Sequence, residues 1–202
     1  MSKPFTVPTK ARYLNAEEWK IVQRVFGDTL PAYSRIIITN GAMGEDRAIV
    51  LSTSAITSVL GSAAATAILG VVGTLVGQAA LYLTSFLNLG YLINVGPAAY
   101  RDLSNWVDQT RDDDAEGRLL VHEMTHVWQG KHSAFALTYL YDSLYHNCTE
   151  GRKAYKYQAG KHWSSYHAEQ QAMIVQDWYI SGEWESGDLW PYIRDHVRKG
   201  KA

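Results

Sequence analysis

Arg118-Leu-Leu-Val-His-Glu-Met-Thr-His-Val-Trp-Gln129 is the stretch on which the reading of this chain turns. Its apolar spacing predicts a helix over Ala115–Gln129, and the acidic run Asp112-Asp113-Asp114 just before it suits a helix N-terminus. On a helix, His122 and His126 stand one turn apart on one face. Two imidazoles so placed can both reach one Zn²⁺ at the usual ~2.0–2.1 Å. Glu123 lies one step further round. It cannot easily bind the same ion, but it can reach a water beside it, which is where a general base must stand. Met124 and Val127 add neighbours of the buried type.

Two histidines do not complete a catalytic zinc site, which needs a third protein ligand and one open position. His132 is one candidate, giving the His-x3-His-x5-His spacing of metzincins. That pattern also needs a glycine three residues after the second histidine. Gln129 stands there, and Gly130 comes one place late. The better candidate is Glu169, in Tyr166-His-Ala-Glu-Gln-Gln-Ala172, on a helix predicted over Ser164–Ile180 with Ser164 or Ser165 as N-cap. A glutamate on a separate helix is the gluzincin arrangement. The plainer role for such a residue is a solvated helix glutamate, but its helix is mostly uncharged (Ala168, Ala172, Met173, Ile174, Val175). His146, His162 and His167 are residual options, more at home as surface or packing residues. A developing oxyanion needs a second stabiliser. Tyr166, His167, Tyr155 and Tyr157 could supply it, although aromatic packing is the commoner role for any one of them. Asp177 and Gln176 are candidates to orient the imidazoles, but spacing alone places neither.

Outward from this motif, composition narrows the field. The 202 residues carry 19 basic and 20 acidic side chains, a net charge of -1, which argues against a nucleic-acid binder. The 47% hydrophobic and 12% aromatic fractions exclude a disordered chain. A lone cysteine, Cys148, excludes an internal disulfide framework and a cysteine-rich zinc finger. Arg35–Thr39, Arg47–Ser52 and Tyr91–Val95 read as strands. Asn15 caps a helix that Gly27 ends, and further helices are predicted over Ser133–Tyr145 and Asp188–Val197, the latter with Pro191 in its first turn. Strands first and helices later predict an α+β fold. One domain is expected over 1–202. Met1-Ser-Lys-Pro-Phe-Thr-Val-Pro8 lacks the apolar run of a secretory signal.

No Asp, Glu, Lys, Arg or His occurs from Ala48 to Tyr100. Residues 53–90 therefore read as an uncharged apolar insertion. It contains Gly73-Thr-Leu-Val-Gly77, a GxxxG spacing. Three roles suit it: a helical hairpin packed on the core or a partner, membrane contact through residues 55–85, or a lid over the site.

The paired elements Leu120-Val-His-Glu-Met-Thr-His-Val-Trp-Gln129 and Tyr166-His-Ala-Glu-Gln-Gln-Ala172 resemble those of bacterial zincin-like domains. Such domains are attached to polymorphic toxins and to VgrG-type spike proteins of type VI secretion systems. The resemblance covers roughly residues 30–52 and 90–182. It looks closest to a C-terminal metallopeptidase effector domain of such a spike. It implies a zincin fold of a small sheet with an active-site helix and a second ligand helix. It also implies Zn²⁺ on His122, His126 and Glu169, with Glu123 as base. By the same resemblance the chain would be delivered by the secretion needle, act on a peptide or protein substrate in the target periplasm, and be matched by an immunity protein. The insertion is where the chain departs from that pattern. Two other functions compete: a non-catalytic zincin-like binding or membrane-perturbing module, and a zinc hydrolase acting on cell-wall amides. Glu123, useless to a purely structural zinc site, argues against the first.

Overall fold

The computed structural model describes residues 8–42, 48–52, 90–109, 114–133 and 155–202. The predicted insertion at 53–90, bar its last residue, and the predicted helix Ser133–Tyr145, bar its first, lie outside them. The chain divides into two compact units, Met1–Leu14 with Ala32–Tyr100, and Asn15–Pro31 with Arg101–Ala202. The fold is α+β. Among the described residues, no helix is long and apolar enough to cross a membrane.

The first unit carries a mixed sheet of β1 (Ala11–Arg12), β2 (Ile36–Thr39), β3 (Ile49–Ser52) and β4 (Tyr91–Asn94), in the order β1-β2-β4-β3. β2 and β4 run parallel, and each edge strand pairs antiparallel with its neighbour. Every residue of β2, β3 and β4 is buried. That is why these strands read as continuous runs, mostly apolar, rather than as alternating patterns. The parallel register sets Thr39 opposite Asn94. The Thr39 hydroxyl donates to Asn94 Oδ1 at 2.5 Å, so polar strand ends are matched inside the sheet. β1 was not anticipated. Two residues are too short to leave a pattern, and Arg12 is held by the Tyr100 carbonyl at 2.7 Å. The short helix α2 (Gly96–Ala99) follows β4.

The second unit is helical: α1 (Ala16–Phe26), α3 (Arg118–His132), α4 (Ala168–Ile180) and α5 (Trp190–Asp195). α1 begins as expected. The Asn15 side chain accepts from Glu18 N, and Glu18 Oε2 accepts from Asn15 N, a reciprocal capping box. Glu18 is fully buried, because its other oxygen takes the Leu103 amide at 2.7 Å and ties the 103 segment to the helix start. α3 packs on both α1 and α4. Val22, Val25, Leu120, Met124, Val127, Trp128, Ala172 and Val175 meet in a sealed core. The Trp128 indole donates to the Val197 carbonyl and fixes the C-terminal turn to this core.

α3 starts three residues later than its acidic prelude suggests. Gly117 is the N-cap, in the left-handed region at φ 73°. Asp114 instead pairs with Arg118, a nearly sealed ion pair at 3.4 Å. A Cβ on Gly117 would collide with the hydroxyl of Tyr179 on α4. Gly117 is therefore doubly required, for its backbone and for the approach of α4. Gly117→Ala is expected to destabilise this unit by about 1–3 kcal/mol from the backbone conformation alone. Urea unfolding monitored by far-UV circular dichroism measures it, and a loss under about 0.5 kcal/mol would refute the argument.

Candidate metal centre

α3 is buried without a break from Leu120 to Gln129, polar and apolar residues alike. Sealed polar side chains on a helix need partners in the facing element. α4 supplies them. Its first turn presents Glu169, 2% exposed, to the histidine face of α3. Glu169 Oε2 lies 3.3 Å from His122 Nε2, and Oε1 lies 3.6 Å from His126 Nε2. One ligand atom from each of the three residues falls within 4.8 Å of the others, close enough for all three to bind a metal ion. Four ligands about 2.0–2.2 Å from a tetrahedral ion stand roughly 3.3–3.6 Å apart. The two spacings from Glu169 to the imidazoles fit that geometry, and the set of two imidazoles and one carboxylate fits its chemistry.

Glu123 sits beside the cluster, 5% exposed, and its Oε2 has no hydrogen-bond partner among the described residues. Burial pushes its carboxyl above the usual range. The imidazoles of His122 and His126 oppose this, and the charge of Glu169 adds to it. Burial pushes Glu169 the same way, but there the two imidazoles win and hold its carboxyl well below the ordinary range. Burial alone would lower the His126 imidazole. Glu169, by charge and hydrogen bond, outweighs that and raises it to about 9. Without metal, the cluster is thus an ion pair with a proton on His126.

The other candidates are placed elsewhere. His132, the alternative ligand, ends α3 with its Nε2 2.8 Å from the Thr29 carbonyl. A backbone carbonyl only accepts, so that nitrogen donates and carries a proton rather than a free lone pair. Lys131 binds the Leu30 carbonyl beside it, and these two bonds carry the helix past the predicted stop at Gln129. The Tyr166 hydroxyl donates to the Gln158 carbonyl at 2.7 Å and meets Tyr192, so Tyr166 anchors a buried aromatic cluster. That anchor keeps Tyr166 and His167 extended. The predicted helix therefore splits into a 3-10 turn over Trp163–Ser165 and α4, with His167 rather than a serine as N-cap. Tyr157 donates to Asp177 at 2.8 Å, and burial together with Asp177 raises its phenol far above the usual range. Tyr155 is the tyrosine beside the cluster, its ring centroid 6.0 Å from that of His122. His162 is an exposed residue bonded to Ser164, and His146 lies outside the described residues.

Gln129 has a place at the site that the sequence reading did not give it. Its Oε1 is 2.8 Å from His126 Nδ1, and its Nε2 reaches the Ala168 carbonyl at 2.9 Å and Gln171 Oε1 at 3.0 Å. The signal was present, since Gln129 is three residues after His126 and shares its face. Gln176 and Asp177 bond to each other instead. His122 Nδ1 is buried with no hydrogen-bond partner among the described residues.

The chain matches no family model, no curated protein and no solved structure.

Ligation needs the lone pair on His126 Nε2, and at pH 7 the metal-free ring is protonated. A divalent ion is therefore expected to release about one proton per ion bound at pH 7. Its apparent affinity should climb with pH and level off above about 9. Calorimetry in buffers of different ionisation enthalpy measures the release. Uptake of an ion at pH 7 with no proton release would contradict the ion-pair description.

Proposed function

We propose that the chain is a zinc-dependent metallopeptidase of gluzincin type on a zincin-like fold, with His122, His126 and Glu169 as ligands and Glu123 as general base. The single observation that carries this reading is the sealed His122–His126–Glu169 cluster with Glu123 beside it. A structural metal site has no use for a second carboxylate, outside the ligand set, at that position. Zinc bound there would polarise a substrate carbonyl and make a neighbouring water acidic at neutral pH.

The protein's own part is proton transfer and positioning. Glu123 Oε2, buried and without a hydrogen-bond partner among the described residues, is the atom that takes the proton of the attacking water. As the carbon–oxygen bond forms and the carbon–nitrogen bond breaks, the same carboxyl hands that proton to the leaving amine. Its raised proton affinity suits both acts, because it holds the proton long enough to return it. Of the four candidates, Tyr155 stands against the His122 ring and is our choice for stabilising a developing oxyanion. Use as an antibacterial effector of a type VI spike, with periplasmic action and an immunity partner, rests on the motif resemblance at 120–129 and 166–172.

Glu123→Gln keeps the ligands and the shape of the site. It is expected to bind metal as wild type does and to lose about 10²–10⁴ of peptide hydrolysis, measured on a fluorogenic peptide library with zinc loaded. Toxicity on periplasm-directed expression should disappear with it. A variant as toxic as wild type but without hydrolysis would leave a binding or membrane-perturbing module as the better reading, and one that hydrolyses peptide as fast as wild type would remove Glu123 from the base's role.

A further inference from the structure

We infer that Gln129 is a positioning residue of the metal cluster: its one amide sets the tautomer of His126 and the depth at which Glu169 enters. This rests on the metal-site reading above and adds to it the group that orients two of the three ligands.

Two backbone carbonyls fix the orientation of the amides. The Ala168 carbonyl can only accept, so the Gln129 atom 2.9 Å from it must be the NH₂ group. The Gln171 amide is fixed in the same way, since its Nε2 donates to the Trp163 carbonyl at 3.2 Å. Gln171 Oε1 therefore faces Gln129 and accepts from it at 3.0 Å. With both Gln129 donors spent on α4, its Oε1 is left facing His126 Nδ1 at 2.8 Å. An oxygen there accepts, so Nδ1 carries a proton whatever the state of the ring, and Nε2, facing Glu169, is the nitrogen left to ligate once it gives up its own proton. The chain Trp163–Gln171–Gln129–His126 thus transmits the polarity of a main-chain carbonyl to a ligand nitrogen.

The second consequence concerns α4. Ala168 directly precedes Glu169, and the Gln129 bond holds that residue's carbonyl against α3. Gln129 is 3% exposed, so no water competes for either end of the amide. Among the described residues His122 has no such partner at Nδ1, and the Tyr155 ring stands beside it. Orientation of the site is therefore lopsided, with the His126–Glu169 side fixed by hydrogen bonds. Only an amide suits position 129. A carboxylate keeps the acceptor for His126 but faces two oxygens on α4, and an apolar side chain of similar length does neither job.

The test compares wild type, Gln129→Glu and Gln129→Met, each full length and checked for folding by near-UV circular dichroism. Zinc affinity, the visible spectrum with Co²⁺ alone, and the His126 Nδ1–H signal in the ¹⁵N spectrum of zinc-loaded protein are read. Both variants should bind zinc at least tenfold more weakly, with shifted cobalt bands. Gln129→Glu should retain a slowly exchanging Nδ1–H, and Gln129→Met should lose it. Wild-type affinity and cobalt bands in either folded variant would overturn the inference. So would equal losses of affinity with the Nδ1–H signal unchanged in both, because that marks a merely structural residue. If Gln129→Met fails to fold, the affinity of Gln129→Glu decides. If wild type itself takes up neither zinc nor cobalt, the metal-site reading falls, and this inference with it.

Discussion

A carboxylate withdrawn from water must be met by positive charge, by hydrogen-bond donors or by a metal, because the energy of leaving it unmet exceeds what a small core can absorb. Glu169 is that carboxylate here. Two imidazoles on the neighbouring helix face it, and much of the helical unit can be understood as the means of keeping them there. α3 and α4 must lie close enough for their polar faces to touch. Small Ala172 and glycine at 117 allow the approach, and the sealed Trp128 and Val127 hold it.

The pattern in the site helix was legible because helical spacing and metal chemistry impose the same rule. Residues four apart share a face, and one ion needs two donors on one face. Glu169 was legible for a weaker reason: a lone glutamate in an apolar helix has an energetic problem that burial against histidines solves. Strands β2, β3 and β4 were legible as short, mostly apolar runs bounded by turn residues. Their order was not, because pairing depends on the path of the chain between them and not on any one strand's composition.

What escaped the sequence was decided by tertiary contacts. The acidic run before α3 obeyed the rule for helix starts, yet the turn at Gly117 set the boundary, because α4 comes so close there that no side chain fits. His132 had a ligand's spacing but a donor's environment, and only the position of the Thr29 carbonyl reveals that. Tyr166 had the right neighbourhood in sequence and the wrong one in space, since its hydroxyl is spent on the Gln158 carbonyl. Gln129 occupied the position where another metal pattern would want glycine. It was read for what it lacked, although an amide at that spacing from His126 has its own use.

The chain has one cysteine, so no disulfide can staple its two ligand helices together. An ion shared by His126 and Glu169 would do that work, closing the intervening chain into a loop as a covalent cross-link does. A loop of that length removes on the order of 4 kcal/mol of freedom from the unfolded ensemble, if the cross-link persists there, and less if it does not. The same ion would then be both reagent and rivet, and a compartment's free metal would set how long the folded chain survives in it.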